Sequence, residues 1–345
     1  MNVKRSNGSA GDVVKAARDL IRDTPLADDR AFVHKLGLVP ADRQAAVAKL
    51  IVSGERKSIA QALRLIERQA KAKDWRTAAK RVNLSDKDCA IHTGDCRDVL
   101  ADVADRSVDL VFTDPPYGIG EDYVGFDDKL TRDELMNIIG GMARHLPRIL
   151  TPNGSAFVMM SSRYALDVAQ VLDSVGLYRQ QMIIWAESFG AYNPRFWTDC
   201  FRVILHYTRD AEQFTFNHAD TRTFILSWRN ENGDDRQDQD GKLPGNVWGA
   251  WTDRELARRV GNAGERIPDD RAVNQLPVKL VERVVLLASN PGDTVLDPFH
   301  GTGTTARACV PHKRRYIGVE IDPHQAKASR VWIKSLLAGR RGNEA

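Results

Sequence analysis

The sequence predicts an α/β fold: a Rossmann-like, doubly wound and mainly parallel sheet with an N-terminal helical extension and an inserted region. Three observations predict it. From Cys89 onward, apolar runs of strand length alternate with segments of helical periodicity. Two of the strands run straight into turns built from Asp, Pro and Gly, and ligands bind at such strand ends in open α/β sheets. Residues 1–85 differ from the rest, being rich in Ala, Arg, Lys and Gln with few aromatics.

In the N-terminal stretch, Ala45, Val47, Leu50 and Ile51 predict a helix that stops at Gly54. Ile59, Leu63 and Ile66 recur at helical spacing behind Ser58, which suits an N-cap. Residues 1–85 hold 18 Lys and Arg against 9 Asp and Glu, a balance of +9, whereas the remainder balances at −5 within a net charge of +4. Two helices around a glycine turn read either as a helix-turn-helix adding phosphate contacts or as a solvated extension with snorkelling Lys and Arg stems. The solvated extension is the commoner outcome.

Further on, Val108–Thr113 reads as strand, Thr131–Leu150 as helix, Ala156–Met160 as strand, and Tyr164–Val175 as helix. Gln181–Ala186 and Phe201–Tyr207 are strands. Pro277–Ser289 is helix, Thr294–Asp297 strand, Thr304–Val310 helix, Tyr316–Ile321 strand and His324–Leu337 helix. Residues 187–273 break the alternation, carrying Trp197, Trp228, Trp248 and Trp251 among Arg, Asn and Gly, with a loop from Glu231 to Asp240 at the centre. The expected organisation is a basic extension over 1–85, one half-domain over 86–186, an insert over 187–273, a second half-domain over 274–338 and a tail over 339–345.

The 345 residues are 42% hydrophobic and 28% charged, enough for a sizeable core. The net charge is too mild to identify a polyanion partner. The absence of an apolar run of eighteen residues argues against a membrane span, and Met1–Leu20 lacks the apolar stretch of a secretory signal. Cys89, Cys96, Cys200 and Cys309 have no CxxC or CxxH spacing, so they are expected as free thiols in a reducing cytoplasm, without structural zinc.

The first chemistry-bearing turn is Asp114-Pro115-Pro116-Tyr117, directly after an apolar strand. Two prolines fix φ twice and remove two backbone donors. A rigid turn then presents a carboxylate, a carbonyl and an aromatic face. That set suits an amino group on a planar base, which donates to Asp114 and the Pro115 carbonyl while its ring stacks on Tyr117. The second turn is Asp297-Pro298-Phe299-His300-Gly301-Thr302-Gly303, followed by Thr304 and Thr305. Gly301 and Gly303 allow close backbone approach, and the N–H groups of the next turn can hold an anion. A further strand ends in Ile317-Gly318-Val319-Glu320, with Asp322 as an alternative acid, where doubly wound folds bind ribose hydroxyls. Asp95, after Gly94, suits either a base edge or the cap of a short helix. There is no GxxxxGK[ST], so a P-loop hydrolase is not expected.

Together these motifs resemble the S-adenosylmethionine-dependent amino-methyltransferases of DNA. Asp114 to Tyr117 matches the family's DPPY motif, Asp297 to Gly303 its DPFxGxG cofactor loop, and Gly94-Asp95 and Ile317 to Glu320 the flanking acidic motifs. Asn274-Gln275-Leu276-Pro277 resembles the segment before the cofactor strand, with Leu276 where Lys is frequent. The catalytic motif precedes the cofactor motif, the permuted order of the β class, and the resemblance covers 89–338.

The resemblance implies a class I methyltransferase fold and direct methyl transfer from S-adenosylmethionine to the amino group of a flipped-out nucleotide, without metal or covalent enzyme intermediate. It makes Asp114, Pro115, Pro116 and Tyr117 catalytic. Asp95, Asp297, Phe299, Gly301, Thr302, Gly303, Thr304, Thr305, Glu320 and Asp322 become candidates for cofactor binding. In the β class an initial Asp goes mostly with adenine N6 and an initial Ser with cytosine N4, so adenine is the expected target and cytosine the alternative. Arg195, Phe196, Trp197, Arg222, Trp228, Arg229 and Lys242 are candidates for DNA contact. Duplex DNA is the expected partner, with a cognate restriction endonuclease and a homodimer as further possibilities. RNA, or a non-catalytic DNA-binding role for the scaffold, are the rivals. Protein-glutamine methyltransferases fit less well, since they usually carry Asn before the double proline and keep the cofactor motif first.

Overall fold

The computed structural model describes residues 10–118, 122–123, 126–127, 129–187, 194–225, 240–249, 256 and 275–341. The chain forms two compact units, the first ending at Asp74 and the second beginning at Trp75. The division falls inside a helix, upstream of the composition boundary at residue 85.

The first unit is helical. It contains α1 (Ala10–Asp19), α2 (Arg30–Gly37), α3 (Ala41–Val52) and the start of α4 (Ile59–Arg81). Ile21, Val33, Leu36, Val47 and Ala62 close its core. Asp29 caps α2 by accepting from Phe32 N at 3.0 Å. Gln44 Nε2 donates to the carbonyls of Gly37 and Val39 at 3.2 and 2.8 Å, tying the turn between α2 and α3. Gly54, at φ +73°, follows α3, and Ser58 Oγ accepts from Gln61 N at 3.2 Å to start α4. The predicted helix pair with its glycine turn is present.

The second unit is built on an eight-stranded sheet. Its strands are β1 (Cys89–Thr93), β2 (Val108–Thr113), β5 (Leu150–Ser161), β6 (Tyr178–Ala186), β7 (Phe201–Thr208), β8 (Val247–Gly249), β9 (Thr294–Asp297) and β10 (Arg315–Glu320), and β3 (Asp122–Tyr123) with β4 (Phe126–Asp127) form a separate hairpin. The strand order in the sheet is β1-β10-β9-β2-β5-β7-β6-β8. The run from β1 to β5 is parallel, and β7 alone runs antiparallel to both neighbours. This is the mainly parallel, class I arrangement that the sequence predicts.

Both faces are covered, so alternate strand residues feed two cores. Leu110, Phe112, Phe157 and Met159 pack with α9 (Val278–Ala288), α10 (Thr304–Cys309) and α11 (Pro323–Arg341). Val111, Ala156, Val158 and Met160 pack with α6 (Arg132–Ala143), α7 (Leu146–Ile149) and α8 (Ala165–Ser174). A capping box starts α6: Glu134 N donates to Thr131 Oγ1, and Thr131 N donates to the Glu134 carboxylate.

The expected single helix over Thr131–Leu150 is broken. Pro147 has no N–H to extend the helix and sits in the first turn of α7, and Leu150 already belongs to β5. Strands β1, β3, β4 and β8 are absent from the sequence-based expectation. Each owes its conformation to pairing, β1 with β10, β8 with β6, and β3 and β4 with each other.

Candidate active site

The four predicted motifs converge because their strands are neighbours. In sheet order, β1, β10, β9 and β2 end at Thr93, Glu320, Asp297 and Thr113. From β9 the chain winds toward β10, and from β2 toward β5, so the gap between β9 and β2 is a topological switch point. A cavity of about 240 Å³ opens at these carboxyl ends. Its wall includes Asp95, Asp114, Pro115, Pro116, Tyr117, Asp297, Phe299, Gly301, Thr302, Thr304, Thr305 and Glu320. Gln275 and Leu276, before α9, close another side.

The turn from Asp114 to Tyr117 leaves β2 at Thr113. Pro115 is buried, while Asp114, Pro116 and Tyr117 are half-buried at the cavity edge. The Tyr117 hydroxyl donates to the Asp114 carboxylate. A second link joins the two motif turns: Thr113 Oγ1 donates to Asp297 Oδ1 at 3.2 Å.

Asp297 organises the glycine turn. Its carboxylate also accepts from Phe299 N at 3.1 Å and Thr305 Oγ1 at 2.6 Å. Burial pushes its pKa up to about 7, against these hydrogen bonds, and the nearby Asp114 charge adds to the rise. Thr305 has one O–H and spends it here, so Thr302 and Thr304 are better placed to donate to a ligand anion. Gly303 has φ +82°, and a Cβ there would come within 3.0 Å of the His300 ring. Gly301 has φ +51°, and its N–H donates to Glu320 Oε2 at 2.7 Å. The tight turn therefore binds an acid of this chain first.

Glu320 accepts a second backbone donor, Asp322 N, at 2.9 Å. Its pKa is raised by burial despite both bonds. Asp322 itself accepts from His324 N at 2.9 Å as α11 starts, and Ile321 rather than Asp322 reaches the cavity wall. Asp95 caps α5 (Cys96–Val99) through Arg97 N at 2.8 Å and pairs with the Arg97 guanidinium, which lowers its pKa. Both readings of Asp95 meet here, since it caps a helix and lines the cavity.

His300, to which the motif pattern assigns no role, is buried inside the turn. Its Nδ1 lies 2.7 Å from the Tyr316 hydroxyl, and burial lowers its pKa to about 3. The wall residues Ile321, Ile138 and Gln325 also lie outside the sequence-based expectation. Ile321 carries a signal in the sequence, as an apolar residue directly after a strand-end acid.

The candidates for DNA contact are dispersed. Arg195, Phe196 and Trp197 lie between β6 and β7, on the edge of the sheet that carries Tyr117, with Phe196 74% and Trp197 98% exposed. Arg222 is elsewhere. It chelates Asp220 through Nε and Nη2, its Nη1 lies 3.5 Å from His312 Nδ1, and it stacks over Trp75. His312 precedes β10, so this cluster sits at the amino end of that strand, away from the cavity. Lys242 is exposed, bridged by its backbone to Ile225. Trp228 and Arg229 lie outside the described residues. All four cysteines are free thiols. Among the described residues, no helix is long and apolar enough to cross a membrane, and no cluster of His, Cys, Asp and Glu could hold a metal ion.

Comparison with known proteins agrees with the geometry. The DNA methylase family of N6 and N4 methyltransferases matches residues 108–330. The type II methyltransferase M.HpaI of Haemophilus parainfluenzae is 30% identical over 241 residues, covering 70% of this chain and 72% of its own. The DNA adenine methyltransferase YhdJ of Escherichia coli K12 is 27% identical over 260 residues, covering 73% and 85%. The solved structure of TTHA0409 from Thermus thermophilus superposes with a TM-score of 0.50 at 23% identity, covering 73% of this chain and 97% of its own. With its Asp-Pro-Pro-Tyr turn, its glycine turn and its strand-end acids on four adjacent strands, the chain belongs to the S-adenosylmethionine-dependent DNA methylases that modify adenine N6 or cytosine N4.

Proposed function

We propose that this protein methylates the N6 amino group of adenine in DNA, taking the target nucleotide outside the helix into the turn formed by Asp114 to Tyr117. One observation carries the reading: a half-buried carboxylate and a half-buried aromatic ring, hydrogen-bonded to each other, border the cavity. Asp114 accepts one hydrogen bond from the amino group and the Pro115 carbonyl accepts the other, which directs the nitrogen lone pair toward the cavity. Tyr117 stacks on the base, and base–aromatic stacking contributes about 1–3 kcal/mol. The initial Asp of the motif supports adenine over cytosine, and the similarity to a protein named a DNA adenine methyltransferase points the same way.

The cavity fits S-adenosylmethionine, which supplies an electrophilic methyl group when bound. Leu276, Phe299 and Ile321 offer apolar cover at one part of the wall, and Asp95 and Glu320 offer acceptors. Glu320 is held by two backbone donors and keeps acceptor capacity for hydroxyl groups. Thr302 and Thr304 stand at the start of α10 as hydroxyl donors. Arg195, Phe196 and Trp197 would contact DNA beside the catalytic turn. The substrate is duplex DNA, and pairing with a restriction endonuclease would follow the type II relatives.

The test is to incubate the protein with labelled S-adenosylmethionine and unmethylated genomic DNA, digest to nucleosides and identify the labelled product. The expected product is N6-methyladenine. Labelled N4-methylcytosine would keep the chemistry and overturn the base, and unlabelled DNA alongside labelled RNA would overturn the substrate.

A further inference from the structure

We propose that Arg202, braced by the buried Glu187, is a positioning residue that holds the plane of the Tyr117 ring for methyl transfer. Arg202 is the second residue of β7, opposite Ser161 of β5 and Trp185 of β6. That places it at the same edge of the sheet as the catalytic turn. Its guanidinium carbon lies 5.5 Å from the Tyr117 ring centroid, over the ring. Nη1 lies 3.4 Å from Glu187 Oε2 and donates to its neighbour's carbonyl, Phe201 O, at 3.1 Å. The Arg202 side chain is 15% exposed and that of Glu187 1%.

Two arguments turn this contact into a role. First, a buried ion pair is weak support for a fold, because desolvating both charges offsets most of their attraction, and an apolar pair of similar size often serves as well. Stability alone does not account for a guanidinium and a carboxylate beneath the catalytic edge. Second, the reaction itself loosens one of the restraints on Tyr117. The residue lies beyond the end of β2, between Pro116 and Gly118, and Gly118 has φ +66°. Its hydroxyl is tethered to Asp114, the carboxylate that the target amino group must share. As that tether weakens, the cation on the ring face persists. A planar guanidinium stacks on an aromatic face in a way that an ammonium does not. The base then takes the opposite face of the ring.

The inference rests on the proposed methylation and deepens it, so the wild type is assayed beside every variant. Arg202→Met alone would take the guanidinium away from the buried Glu187 carboxylate, with a risk to folding. The decisive variant is therefore Arg202→Met with Glu187→Gln, which removes both charges, and Arg202→Lys tests rescue. The expected result for the double variant is a kcat about tenfold below wild type. Its KM for DNA and its S-adenosylmethionine affinity stay within about twofold, and its melting temperature is near wild type. Arg202→Lys, which keeps the ion pair and a cation, recovers part of kcat. A double variant with wild-type kcat overturns the proposal. So does one that loses cofactor affinity and thermal stability together with activity, because that pattern is structural. No labelled nucleoside from the wild type overturns the methylation reading and this inference with it.

Discussion

At the scale of single residues, the site divides side chains that face the reaction from side chains that face the scaffold. Asp114 and Asp297 are both strand-end aspartates followed by proline, and the sequence presents them as equals. Asp297 is buried under three donors and knits two turns together, whereas Asp114 borders the cavity with only its edge covered. Tyr117 presents two separable features, a ring face and a hydroxyl on Asp114. Tyr117→Ala removes both and is expected to lower kcat/KM about 10- to 100-fold, in line with the loss of one base–aromatic stack. Tyr117→Phe keeps the face and is expected within about tenfold of wild type. Methyl transfer to DNA at saturating S-adenosylmethionine checks both, and equal losses in the two variants would assign the effect to the hydroxyl instead.

At the scale of elements, the loop that follows β9 has two left-handed glycines, and the space beside Gly303 is filled from below. A Cβ at Gly303 would lie 3.0 and 3.2 Å from Cε1 and Nε2 of His300, a ring that cannot swing away while Nδ1 is held by Tyr316. Gly303→Ala is therefore expected to cost about 1–2 kcal/mol from the left-handed backbone alone, plus the displacement of His300. The outcome is a lower melting temperature and weaker S-adenosylmethionine binding in a direct titration. Wild-type values for both would mean that the turn relaxes freely. This element also marks what the sequence made legible. Apart from the break at Pro147, the β3–β4 hairpin and β8, the order of strands and helices from Val108 to Leu337 followed from apolar periodicity, and the motif turns stood at strand ends because acids and glycines there interrupt that periodicity. Which turn donors serve a ligand was not legible. Gly301 N and Thr305 Oγ1 are engaged by Glu320 and Asp297, partners 19 and 8 residues away in the chain. Arg222 shows the same limit in reverse, because a basic residue in a Trp-rich insert gives no sign that Asp220 and His312 will contact its guanidinium. The nearness of Arg202 to Tyr117 depends on β7 being antiparallel between β5 and β6, which periodicity cannot encode.

At the scale of the whole molecule, the two edges of the sheet carry different electrostatic duties. At the carboxyl edge the buried acids Asp297 and Glu320 are each held by donors of the chain, while the amino edge holds a pair that works against the fold at neutral pH. Asp293, just before β9, is half-sequestered by its neighbours, and burial together with the Asp109 charge raises its pKa to about 6 from an ordinary 3.8. Its carboxylate accepts from Asn290 N at 2.7 Å, while Asp109 accepts from Thr294 N at 2.9 Å. Because the folded state holds the proton more tightly than the unfolded chain, Asp293 contributes its stability fully below pH 3.8. That contribution is lost as pH rises through about 6, a change of about 3 kcal/mol at most for a shift of this size. Asn at this position keeps an oxygen acceptor for Asn290 N and has no charge to desolvate. Asp293→Asn should therefore gain on the wild type in melting temperature between pH 4 and pH 6 and hold a constant advantage above that. Methyl transfer should be unchanged, since the residue lies at the edge opposite the cavity. Thermal melts of both proteins from pH 4 to pH 8 measure the difference. A gap that stays flat across the whole range would show that Asp293 titrates in the folded protein as it does in the unfolded chain, and that the fold carries no charge penalty at its amino edge.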